Sequence, residues 1–308
     1  MRRIALIAMA AAVVVLMCDG PEEEELSGWV YGGELGYDPM GVPLRMGLNL
    51  GLDVFPNGAV YVASFFEYSR WPTESFVYYF NANGRYLGRW GGDITYFFDV
   101  AAGPSRGWVY VADGSNSRIR YYTPRGSFLG EWSVPNAPVR IAVSPSDGNI
   151  YVAAGDSIQY FTATGSSLGA WGTEGSGNGQ FSSPWGVAVA PDTGYVYVAD
   201  TFNDRIQYFT STGSFLGKWG RTGSGDGEFD GPFGVAVSPL DGNVYVADKE
   251  NHRIQYFTPE GTFAGKFGSY GLEEGDLRNP WGLRFNATGK RLYITGVPGP
   301  LLYFDYYE

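Results

Sequence analysis

The stretch PFGVAVSPLDGNVYVADKENHRIQYFTPEGTFAGKFG, Pro232 to Gly268, holds four short apolar runs separated by turn residues. GVAV, VYVA and RIQYF alternate with a period of two, and FAGKFG ends the unit. β-Branched and aromatic residues punctuated by Pro, Gly, Asn and Asp describe short strands joined by tight turns. The stretch just before it, PWGVAVAPDTGYVYVADTFNDRIQYFTSTGSFLGKWG from Pro184, repeats it almost position by position.

Working outward, YVA or a close variant marks Tyr61, Tyr110, Tyr151, Tyr197, Tyr245 and, as YIT, Tyr293. The spacings of 49, 41, 46, 48 and 48 residues fit one unit of four strands per marker. Such units cannot bury their own faces and stack into a ring, so the predicted class is all-β, a six-bladed β-propeller of four-stranded antiparallel blades. The composition agrees, since 46 Gly and 18 Pro in 308 residues supply many turns. No segment beyond the N-terminus has sustained helical periodicity.

The pattern P-x-G-V-A-V, Y-V-A-D and N-x-R-I-Q-x-F, followed by a Gly-rich link, resembles the NHL-repeat family of six-bladed propellers. The resemblance spans Gly28 to Glu308, sharpest in units four and five and degenerate in one and three. It implies fold but not activity, because such relatives include enzymes, receptor sensor domains and RNA binders. Unit six stops at LLYFDYYE, which matches the third strand, and lacks a fourth. SGWVYGG, Ser27 to Gly33, resembles the fourth-strand ending GRWGG at Gly88 to Gly92. The N-terminal strand is therefore expected to complete the last blade and pair its open edge.

The single histidine, His252, fills a variable slot, aligned with Ser117 and Asp204. A zinc site needs several converging ligands, and the amidating lyases of the resembled family use several histidines. His252 thus reads as a passenger of the repeat. Asp113, Asp200 and Asp248 each precede an Asn by three residues and an Arg by five. They read as caps of the turn between second and third strands, each paired with its Arg. The links GTEGSGNGQFSSP, GRTGSGDGEFDGP and GSYGLEEGDLRNP lack the helix and Lys-Ser/Thr ending of a phosphate loop. They read as blade-to-blade crossovers. No catalytic set, cofactor or metal site is expected.

Departures from the repeat say more about ligands. The innermost strand opens with Gly51, Gly186, Gly234 and Gly282 in four units, but with Asp99 and Arg140 in units two and three. These charges are expected near the channel mouth. One place earlier stand Leu50, Phe98, Val139, Trp185, Phe233 and Trp281, a largely aromatic ring. It lacks the axial Glu/Asn/Asp set of calcium-dependent lactonase-type propellers. In unit one, SFFEYSRWPTESF replaces the compact turn and brings Phe65, Phe66, Tyr68, Arg70 and Trp71. Aromatics beside charge suit a recognition surface on the face that carries the crossovers.

The N-terminus points to export. Residues 1–17 form a signal peptide, with Arg2 and Arg3 before the apolar run Ile4 to Met17. The sole cysteine, Cys18, follows at once, and VLMC resembles the lipobox of bacterial lipoproteins, except that Met17 stands where a small residue is usual. Acylated Cys18 would then head an acidic tether, 18–26, ahead of the propeller, 27–308. Cleavage removes two arginines and takes the formal charge from −11 to −13, which repels nucleic acid. The reading is an exported, lipid-anchored propeller of the cell envelope, on its periplasmic or extracellular side. It binds a peptide, glycan or protein and meets the membrane through the anchor only. The alternatives are a propeller lyase or hydrolase, and a structural envelope protein without a specific small ligand.

Overall fold

The computed structural model describes residues 28–35, 48–66, 74–92, 96–104, 106–271, 276–296 and 301–307. The signal segment, the tether with Cys18, and Tyr68, Arg70 and Trp71 lie outside them. Six four-stranded antiparallel sheets form the ring. Blade four shows the plan, running from an innermost strand, Pro184–Val189, through Val196–Asp200 and Arg205–Phe209 to an outermost strand, Phe215–Trp219. The crossovers and the turns between second and third strands share one face, called upper below. The turns that follow the innermost strands share the lower face.

Blade six is completed as the sequence predicts. Its strands Pro280–Phe285, Arg291–Gly296 and Leu301–Tyr307 are joined by Gly28–Leu35 from the other end of the chain. The closing pair is antiparallel, with Gly28 opposite Tyr307 and Leu35 opposite Leu301. The edge of Leu301–Tyr307 is thereby paired.

The core lies between blades. Ala188, Tyr197, Ala199 and Ile206 of blade four pack on Val235, Val244, Val246 and Phe257 of blade five. Each fully buried large side chain contributes about 1.5–3 kcal/mol, and every interface repeats such a set. The seam is no weaker in kind, since Leu52, Val60, Val62 and Phe80 of blade one meet Tyr293, Leu301 and Leu35 of blade six. The repeated Tyr latches each of the first four blades to the next. Tyr61, Tyr110, Tyr151 and Tyr197 donate their hydroxyls to Pro124 O, Ala163 O, Ser211 O and Pro259 O, at 2.9–3.2 Å. The repeated Trp does the same by packing. Trp171 covers Gly213 of the next blade, which has φ 90°, and a Cβ there would come within 2.6 Å of the indole.

Candidate functional site

The turn motif holds the crossovers. In blade four, Asp200 accepts from Ser182 N at 2.7 Å and from Asn203 Nδ2 at 3.0 Å. Arg205 donates Nε–H to Asp200 at 2.7 Å and spends its other nitrogens on the carbonyls of Ser176, Gly177 and Gln180. Asp248, Asn251 and Arg253 do the same in blade five, where Arg253 grips Ser224 O, Gly225 O and Glu228 O. The predicted pairing fails in blade two. Arg118 turns to Glu131 on the outermost strand, and it is Arg120 that lies 3.4 Å from Asp113. The crossover that leads into blade two, from Gly91 to Phe97, is much shorter than the crossovers from Trp171 to Pro184 and from Trp219 to Pro232 whose carbonyls Arg205 and Arg253 hold.

His252 sits at φ 55°, as Ser117 and Asp204 sit at 50° and 48°. Its Nδ1 accepts from Asn279 N at 3.2 Å and its ring packs 4.8 Å from Tyr270. Asp204 accepts from Gly231 N in the same way. Among the described residues no three His, Cys, Asp or Glu side chains gather as metal ligands would.

The ring of residues before the axial position forms an aromatic layer at the upper mouth. Trp185 contacts Phe98 at 6.2 Å, Phe233 at 5.2 Å and Trp281 at 6.1 Å between centroids, and Phe233 meets Trp281 at 5.0 Å. Phe98, Trp185 and Trp281 are half-buried, whereas Phe233 is buried. The Lys249 ammonium stands 4.9 Å from the Phe233 ring and 5.7 Å from Trp281. At the rim, Phe202 is 69% exposed on the turn after Asp200, and Tyr96 stacks beside Phe98. Phe65 and Phe66 end the second strand of blade one, Val60–Phe66, and pair with Ser75 and Glu74. That hairpin has seven-residue strands, against five in blade four, and so reaches further over the upper face.

Asp99 and Arg140 do meet, with Nη1 3.8 Å from Oδ1, but beneath the aromatic layer. Both are nearly wholly buried. Arg140 donates to Trp185 O and Phe98 O, each at 3.0 Å, and Asp99 accepts from Ile141 N. Burial pushes the Asp99 carboxyl up, against the pull of Arg140 and then Arg284. Gly186 and Gly234 have a packing reason: a Cβ there would run into Phe233 O or Trp281 O of the next blade.

A second axial pair lies two residues further along the strands, where Asp53 and Arg284 replace the repeated Ala of GVAV. Arg284 Nε is 3.3 Å from Asp53 Oδ1, and Nη2 crosses the axis to donate to Ile141 O at 3.0 Å. Asp53 also accepts from Val54 N and Ala102 N, and its carboxyl is raised by burial, with Arg284 opposing. Only about 10 Å³ remains between the two charged layers, room for roughly one water. The channel is plugged. Below the plug opens a cavity of about 320 Å³, walled by Val54, Val143, Val189, Val237 and Phe285, with Asp53 and Arg284 at its blind end.

These features define a six-bladed β-propeller with a blocked axis, an aromatic mouth above and a cavity below. Its repeats at residues 181–209 and 229–257 match the NHL-repeat family model, and they are NHL repeats. No curated protein matches the sequence. Among solved structures, the chain is similar to selenomethionine-substituted virginiamycin B lyase from Staphylococcus aureus. The identity is 18% and the TM-score 0.57, over 80% of this chain and 77% of that one. It is also similar to a catalytically inactive form of virginiamycin B lyase from Staphylococcus aureus with quinupristin. That match has 16% identity and a TM-score of 0.59, over 87% of this chain and 82% of that one. At such identity the likeness is one of fold.

Proposed function

We propose that the protein is an exported, membrane-held binding module that captures a peptide, glycan or protein partner on its upper face. The contiguous aromatic layer of Phe98, Trp185, Phe233 and Trp281, rimmed by exposed Phe202, carries this reading. Half-exposed rings in contact offer flat apolar faces to sugar rings or to proline and aromatic side chains, and Lys249 adds charge at the edge. The plug beneath gives the platform a rigid floor. The likeness to two lyase structures supports a lyase alternative through fold alone.

The test is titration of the purified protein against glycan and peptide libraries, followed by tryptophan fluorescence. Trp185→Ala and Trp281→Ala should each weaken the binding found by about 2 kcal/mol or more, as interface anchors do. Unchanged affinity in both folded variants would remove the site from this face. The anchor has its own test in the intact mass of the membrane-fraction protein, where lipid on Cys18 is expected. A soluble form starting beyond Cys18, without lipid, would reject it.

A further inference from the structure

The lower cavity is a second, independent feature. Six innermost strands end around it, and five contribute a proline to its rim: Pro56, Pro104, Pro145, Pro191 and Pro239. Its walls are Ala and Val in most blades, as the repeat dictates. The repeat does not dictate its floor. Asp53 and Arg284 stand where four other units have Ala, in the two blades that meet at the ring seam. Their side chains are 16% and 17% exposed, and both line the cavity. Burying an ion pair at the blind end of an apolar cavity is costly, since both groups lose water and neither gains stability over packed alanines.

The bonding of the pair shows what it presents downward. Asp53 Oδ2 accepts one backbone N–H, from Ala102. A carboxylate oxygen has room for a second donor. Arg284 commits one bond each from Nη1, to Leu283 O, and Nη2, to Ile141 O. Each of those nitrogens carries two N–H groups. An acceptor and a donor therefore lie side by side at the end of an apolar well, with no net charge between them.

We infer that this cavity binds a compact, uncharged, apolar-bodied molecule with an amide or lactam head. The head's carbonyl accepts from the Arg284 guanidinium and its N–H donates to the Asp53 carboxylate. The volume lies at the small end of the usual range for ligand sites, about 300–1,000 Å³. A charged head of either sign would lose its hydration and meet one like charge on the floor. The site is separated by the plug from the aromatic mouth, so it stands whether or not the upper face binds a partner.

Three probes with one rigid body separate the possibilities: adamantane-1-carboxamide, adamantane-1-carboxylate and 1-aminoadamantane. Each is titrated into the full-length protein at physiological salt, with valine methyl resonances as the readout. The carboxamide should shift Val54, Val143, Val189 and Val237, and the two ions should bind about tenfold more weakly or worse, the loss expected for a hydrogen bond to a charged group. Asp53→Asn leaves a cationic floor, so the carboxylate should rise to the affinity of the carboxamide or above while the ammonium stays rejected. Ala236→Leu, which narrows the well from the wall of blade five, should abolish binding of all three. Should Asp53→Asn not fold, the probe ranking and Ala236→Leu decide alone. No shift at these valines up to the solubility limit overturns the inference. So does an ion that binds as well as the amide, or binding that survives Ala236→Leu.

Discussion

Blades five and two carry the same Asp, Asn and Arg spacing and use it differently. In blade five Arg253 is nearly buried, and its bonds to Asp248 and three carbonyls fasten a long crossover to the turn. In blade two the equivalent Arg118 is about one-third exposed and pairs with Glu131 at the surface. The residue type at a repeat position is thus less informative than the length of the loop it faces. The arginine fastens a crossover, and where the crossover is short it is released to the solvent. The contrast extends to the axis, where blades four and five keep Gly186 and Gly234 while blades two and three bury Asp99 and Arg140.

The hardest test of the contrast between regular and irregular blades is at the seam. Removing Gly28–Leu35 exposes the whole edge of Leu301–Tyr307 and should cost more than about 5 kcal/mol, a large part of a typical domain's stability. Thermal melting checks it, and a truncated protein that melts with the parent would show that blade six stands without its fourth strand. Removing only residues 21–25 should be nearly neutral.

Next in size, Arg253→Ala should cost about 3–5 kcal/mol, because it leaves the Asp248 carboxylate buried without its cation. Arg118→Ala should cost about 1 kcal/mol or less, as exposed pairs do. Denaturant unfolding of both variants measures the difference, and equal losses would break the comparison. At the axis, single replacements of Asp99 and Arg140 by Ala should not add. A coupling of about 1–3 kcal/mol in the double-mutant cycle is expected for groups in one buried network. Additivity would detach the two residues from each other.

The smallest effect concerns the tyrosine latches, and it appears only in alkali. Burial, chiefly, pushes the hydroxyls of Tyr61, Tyr110 and Tyr151 up to about 12 from 10.0. A folded state that holds these protons more tightly than the unfolded chain keeps their full contribution below pH 10. The contribution is lost as the pH rises from 10 toward 12. Melting temperature should therefore fall across that window, and Tyr110→Phe should make the fall shallower while lowering the neutral-pH value. A Tyr110→Phe variant with an unchanged alkaline slope would leave the latch without a part in it.

Much of the fold was legible because the repeat declares each strand four ways, by period, turn residues, the Tyr marker and the terminal Trp. Even the strand exchange at Gly28–Leu35 could be read, from a missing run at one end and a spare one at the other. The site was legible only in part. The aromatic ring and the Asp99–Arg140 departure stand out on alignment, but their depth along the axis does not. Asp53 and Arg284 escaped notice although the signal was present. Strand side chains alternate, so the position two residues beyond the axial glycine also faces the axis. Comparing that column would have found the second pair. Which carbonyls an arginine grips, by contrast, depends on loop geometry that no residue pattern encodes.

The seam also decides how the ring answers to force. Gly28 lies opposite Tyr307, so the two ends of the described chain leave the molecule side by side. Tension applied to both would not shear the seven paired residues at once. It would peel them apart like a zip, one pair at a time from Gly28 inward, while the five other interfaces carry no load until the last pair has parted.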